Sequence, residues 1–160
     1  MAGVARMTRT RADGMVQRWL PVVLWAIVIS VLSSDAFSGE HTGSFLLPLL
    51  QTVFPSASPD TLLTVHGAIR KLAHVTEYAV LALLVMRALE RPERSRAVVI
   101  ALALLLCAGY AALDELHQTF VPSRTASPVD VAIDTLGAAL GLGGGVLVRS
   151  ALSAGRRSPA

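Results

Sequence analysis

Hydrophobic and polar positions along this chain fall into long blocks rather than a short alternation. Trp19–Ser34 (WLPVVLWAIVISVLSS) and Ala97–Leu113 (AVVIALALLLCAGYAAL) carry no charged residue. Both approach the ~20 apolar residues needed to cross the hydrocarbon core of a bilayer. Neither shows the polar stripe of a soluble amphipathic helix. Leu72–Leu89 and Val129–Val148 are apolar over most of their length, with ionisable residues near one end: His74 and Glu77 in the first, Asp130 and Asp134 in the second. The pattern predicts an all-α fold, a polytopic membrane bundle of four transmembrane helices. Between spans one and two, Asp35–Ile69 holds three helix breakers, Pro48, Pro55 and Pro59. Within it, Phe45–Phe54 (FLLPLLQTVF) is too short to span and reads as an interfacial or re-entrant segment. Pro59-Asp60-Thr61 reads as the start of a further helix running into Arg70.

Composition agrees. Of 160 residues, 53% are hydrophobic and 16% charged, against roughly 25% charged in soluble domains. Mean hydropathy is +0.59. The competing readings are a soluble all-α bundle, and a first run that is a cleaved signal peptide rather than an anchor. The two uncharged runs argue against the former, and the later spans, which need a membrane in any case, against the latter. The length suits one membrane domain, 19–150, between an Arg-rich tail, 1–18, and a disordered tail, 151–160; residues 1–11 also read as disordered. The single cysteine, Cys107, excludes a disulfide framework.

Charge sets the orientation. Arg6, Arg9, Arg11 and Arg18 precede span one, Arg87, Arg91, Arg94 and Arg96 separate spans two and three, and Arg149, Arg156 and Arg157 follow span four. These 11 cations fall on one side of the bundle, leaving Arg70, Lys71 and Arg124 on the other. The positive-inside rule then predicts a multi-pass protein of the plasma membrane with both termini cytoplasmic. The same topology accounts for the Arg clusters, so nucleic acid is not an expected partner; the lipid bilayer is.

On that topology the remaining ionisable residues gather at the outer ends of the helices. Arg70, Lys71, His74 and Glu77 open span two, and with Tyr78 they fall within an arc of roughly 120° at 100° per residue. Asp114, Glu115, His117 and Gln118 close span three, Arg124 sits in the turn after it, and Asp130 and Asp134 open span four. A lone charge at a helix end can snorkel or cap, which suffices for Arg70 taken singly. It suffices less well for His74, Glu77 and Asp134, which lie a turn or more inside. The candidate polar site is therefore Lys71, His74, Glu77, Tyr78, Asp114, Glu115, Gln118, Arg124, Asp130 and Asp134. In span four, Gly137, Gly141 and Gly144, with Gly145 beside them, share a face with the two aspartates and favour close helix packing.

Three uses of such a set differ in class. In one, Arg124 and Lys71 hold an anionic envelope component, a lipid-linked phosphate or a peptidoglycan-related group, while Glu115 and Asp130 orient the cations or act as acid and base. His74 is then the proton carrier by its intrinsic pKa. In the second, the same residues form a buried ion-pair network, and function lies in partner binding. A proton-coupled transporter is the third, disfavoured by the absence of an inverted repeat. A metal held by Asp130 and Asp134 with His74, His117 or Glu115 lacks a supporting HExxH or CxxC motif. No nucleophile motif stands out beyond Ser123 beside Arg124, so the residues leave open whether the protein is an enzyme and which cofactor, if any, it uses.

At these residues the chain resembles the VanZ-like family of small bacterial membrane proteins. The resemblance is carried by Arg70-Lys71-Leu72-Ala73-His74 with Glu77-Tyr78, by Asp114-Glu115-Leu116-His117-Gln118, and by Pro122 and Arg124. It continues through Asp130-Val131 and Asp134-Thr135-Leu136-Gly137 to Gly141, with Ser33-Ser34 at the end of span one. Two departures are Ser123, where many members carry Gly, and Asp134, where many carry Asn. The resemblance implies an integral membrane protein of the cell envelope with a link to glycopeptide (teicoplanin) resistance.

Overall fold

The computed structural model describes the backbone of residues 2–120 and 127–155, and the side chains of 14–120 and 127–155. Five α-helices and one short 3-10 turn make up the fold: α1 (Ala2–Leu32), the turn Asp35–Phe37, α2 (Gly39–Val53), α3 (Pro59–Leu89), α4 (Arg96–Gln118) and α5 (Pro128–Gly155). No strand occurs among the described residues. All four predicted spans are present, as helices long and apolar enough to cross a membrane, and α2 is the shorter element between the first two.

Serine begins three of these helices for one reason. Ser38, Ser58 and Ser95 each accept a hydrogen bond from the backbone N–H three residues on, at 3.3, 3.2 and 3.4 Å. Each bond satisfies an amide that the helix itself leaves without a partner. Pro59 occupies the first turn of α3, where a missing N–H costs nothing.

The structure corrects two expectations. Pro48 does not break the chain but lies inside α2; Ser44, whose carbonyl loses its helical donor, is exposed. The helix expected to start at Pro59 and the span expected from Leu72 are one helix of 31 residues. Nothing between Arg70 and Leu72 stops a helix, so a drop in hydropathy there is not a break in structure. At about 46 Å, α3 outruns the ~30 Å hydrocarbon core. At the termini, α1 begins at Ala2 and α5 ends at Gly155. Residues 156–160 lie outside those described.

α3 is the central helix, packed most extensively on α5 and touching α1, α2 and α4. Its core residues Tyr78, Leu81, Ala82, Val85 and Met86 meet Ala103, Cys107 and Ala111 of α4 and Ala138 and Leu142 of α5. α1 is integral to this bundle. Val22 and Ile29 are buried, the Trp25 Nε1–H donates to the Glu77 carbonyl at 2.9 Å, and the Tyr110 hydroxyl donates to the Ala26 carbonyl at 2.6 Å. The outward faces are apolar: Leu105 is 68% exposed and Leu147 71%. A water-soluble bundle would not leave such faces in water, so the soluble alternative falls.

Glycine fixes the distance between α3 and α5. A Cβ added at Gly137 would lie 2.5 Å from the Val75 carbonyl oxygen, one at Gly141 2.5 Å from that of Ala79, and one at Gly145 2.6 Å from a Leu83 methyl. Both helices advance by four residues per contact, so they run parallel in a constant register. Gly144, expected on this stripe, has nothing within 4 Å. Spacing of four, not the glycine-rich run as such, selects the contacting face.

Candidate polar site

The glycine register carries Asp134, one turn before Gly137, to the level of Leu72 to His74 on α3. Asp134 is 1% exposed, and its Oδ1 lies 3.3 Å from Nδ1 of His74. His74 is the one described side chain paired with this carboxylate. Burying a carboxylate without charge compensation costs several kcal/mol, so the imidazole is the group that makes this aspartate tolerable.

His74 and Asp134 form part of the wall of a cavity of about 340 Å³ at one end of the bundle. α3 contributes Arg70, Lys71 and His74, α4 contributes Glu115 and Gln118, and α5 contributes Asp130, Ile133 and Asp134. The start of α2 supplies Gly39 and Glu40. A Cβ at Gly39 would overlap the Arg70 guanidinium, so a side chain there would displace the end of that arginine. The cations stand on α3, and most of the carboxylates face them from α4 and α5. Four carboxylates against two permanent cations make the described lining more acidic than basic.

The sequence candidates divide into three groups. Lys71, His74, Glu115, Gln118, Asp130 and Asp134 meet at the cavity. Glu115 is also tied down locally, accepting from the Ser127 N–H at 2.6 Å. Asp114, Tyr78 and Glu77 do not line it. Asp114 is buried behind the wall, where its Oδ2 accepts from the Ser33 hydroxyl at 2.7 Å and from the Gln118 amide at 3.2 Å. Tyr78 is buried in the core with its ring centroid 6.2 Å from that of Tyr110, and its hydroxyl has no hydrogen-bond partner among the described residues. Glu77 offers its backbone carbonyl to Trp25. The single polar arc expected on α3 thus splits, because Tyr78, one turn deeper, is buried against α4 instead of lining the cavity. Pro122, Ser123 and Arg124 lie outside the described residues.

His117 is exposed and does not line the cavity. No three of the described His, Cys, Asp and Glu residues are placed to hold one metal ion. Sequence reasoning missed the contribution of Gly39, Glu40 and Gly67, since nothing in local pattern says where the α2 start docks. It also missed Ser33 as a partner of Asp114, although a buried serine at a helix end is a signal that a donor is wanted there.

The sequence model of the VanZ/LLP1 family matches residues 18–149 of this chain. No curated protein and no solved structure matches it. The matched stretch runs from the end of the Arg-rich tail through all four long helices and includes every residue of the cavity wall. The chain belongs to the VanZ/LLP1 family of membrane proteins.

Proposed function

We propose that this protein is a multi-pass component of the plasma membrane, with both termini in the cytoplasm, whose polar cavity opens on the outer face. There it takes up the head of an anionic envelope component, either lipid-linked or peptidoglycan-related. The orientation rests on the 11-to-3 division of Arg and Lys. The observation that carries the ligand reading is the wall-to-wall separation of charge: Arg70 and Lys71 on α3 face Glu115, Asp130 and Asp134 on α4 and α5. Neutralising pairs alone would close the space between them, whereas a cavity of about 340 Å³ remains.

Arg70 offers a planar fork and Lys71 a point charge to an anionic group. The facing carboxylates accept hydrogen bonds, so the ligand that fits carries hydroxyl or ammonium donors beside its anion. Sugar phosphates and amino-bearing peptidoglycan fragments have that chemistry. His74, oriented by Asp134, is the group with an intrinsic pKa suited to moving a proton near neutral pH, should the ligand be modified as well as bound.

A structural reading holds for part of the set. Ser33, Asp114 and Gln118 form a buried hydrogen-bonded brace joining α1 to α4, and these residues hold the wall rather than the ligand.

Purified protein mixed with a polyprenyl phosphate, and separately with the uncharged polyprenol, tests the reading by native mass spectrometry. The phosphate is retained and the alcohol is not. Lys71→Gln weakens retention roughly tenfold, as expected for one lost hydrogen bond to a charged group. Equal retention of both, or no effect of Lys71→Gln and Arg70→Gln together, sinks the proposal. The link to drug resistance is tested by expression in a teicoplanin-susceptible host. Tolerance should rise with the parent protein and fall back with Lys71→Gln.

A further inference from the structure

A second cavity, of about 180 Å³, lies at the other end of α3, where the 90–95 turn meets the start of α4 and the last turns of α5. Arg70 and Glu90 are twenty residues apart along a helix, so the two cavities are separated by about 30 Å. Four guanidinium groups line the second one, from Arg91, Arg94, Arg96 and Arg149, with Glu90 as the single carboxylate. Glu93, in the same turn, is not part of the lining.

Two of these arginines are already engaged. Arg149 pairs with the Glu90 carboxylate, and Arg94 donates to the Leu89 carbonyl at 3.1 Å. Arg91 and Arg96 are exposed, and their side chains make no hydrogen bond or ion pair with any described residue. A preference for Arg in short loops explains their sign. It does not explain why Arg149, more than fifty residues later in the chain, converges with them on one concave space. Like charges held together repel unless an anion sits among them.

We propose that this pocket binds a phosphate group, supplied by the head of an anionic phospholipid. Guanidinium forks match phosphate oxygens in pairs, and basic pockets between membrane helices are where anionic head groups dock. The floor of the pocket is apolar, made by Val99 and Val146. Their neighbours Val98, Leu147 and Val148 are exposed at 49%, 71% and 60%. Acyl chains leaving the pocket would therefore run down apolar helix faces without crossing a polar barrier. Free phosphate shares the head-group chemistry but gains nothing from those faces.

Thermal unfolding of the full chain in a neutral detergent tests this with three additives: phosphatidylglycerol, phosphatidylcholine with the same acyl chains, and inorganic phosphate. Phosphatidylglycerol raises Tm in a saturable way, and phosphatidylcholine does not. In the Arg91→Gln, Arg96→Gln double variant the apparent affinity drops about fivefold for each arginine removed. The Arg91→Lys, Arg96→Lys variant, which keeps charge without the fork, retains part of the response. An equal rise with inorganic phosphate, lost in the same Gln variant, keeps the phosphate site and assigns its source to solution. No response to either phosphate source, an equal response to phosphatidylcholine, or an undiminished response in the Gln variant overturns the proposal.

Discussion

His74 on α3 and Asp134 on α5 stand 3.3 Å apart, nitrogen to oxygen, beside the glycine-lined contact between those two helices. The aspartate is 1% exposed, and His74 is the described side chain paired with it. His74→Ala should therefore cost on the order of 3–5 kcal/mol by leaving a buried carboxylate without its partner. Adding Asp134→Asn should recover much of that loss. Tm of the purified single and double variants measures both effects, and a His74→Ala protein as stable as the parent would show that the pair carries no energy.

The same contact depends on Gly137, where a Cβ would sit 2.5 Å from the Val75 carbonyl oxygen and 2.8 Å from its Cα. Backbone cannot move aside as a flexible side chain can. Gly137→Ala should push α5 off α3 and destabilise by about 1–3 kcal/mol, as overpacking does. Gly144→Ala, with nothing within 4 Å, should be neutral or stabilising by up to about 1 kcal/mol from helix propensity. Matched Tm values for the two variants would contradict the packing described here.

Ser33 and Asp114 provide a third test. Their 2.7 Å bond is buried and links residues 81 positions apart. Ser33→Ala removes a donor from a carboxylate that keeps only the Gln118 amide among described donors, and should cost about 1–3 kcal/mol. A double-mutant cycle with Asp114→Ala isolates the coupling, which vanishes if the two side chains act independently.

Orientation is checked by labelling single cysteines in a Cys107→Ala background. Glu40→Cys, at the polar cavity, should react with a membrane-impermeant maleimide on intact cells. Glu93→Cys, in the Arg-rich turn between α3 and α4, should react only after the membrane is opened. The reverse pattern would invert the topology and place the polar cavity in the cytoplasm.

The four long helices were legible in the sequence because each carries its own signal, a run of apolar residues of spanning length. The helix start at Pro59-Asp60-Thr61 was equally local, and the structure adds the Ser58 cap beside it. The gathering of Lys71, His74, Glu115, Gln118, Asp130 and Asp134 at one end was also readable, since membrane depth follows from position within each span. What depth cannot give is azimuth. Tyr78 and Asp114 lie at nearly the same level as the cavity yet are buried among other helices, and only the packing of α3 and α4 among their neighbours decides that. The glycine stripe shows the same division. A rise of 1.5 Å and a turn of 100° per residue allowed either Gly144 or Gly145 to continue it, and the meeting of Gly145 with Leu83 settled the choice. Sequence fixes which residues can share a level, because level is a property of one helix; tertiary structure fixes which of them touch, because touching is a property of two.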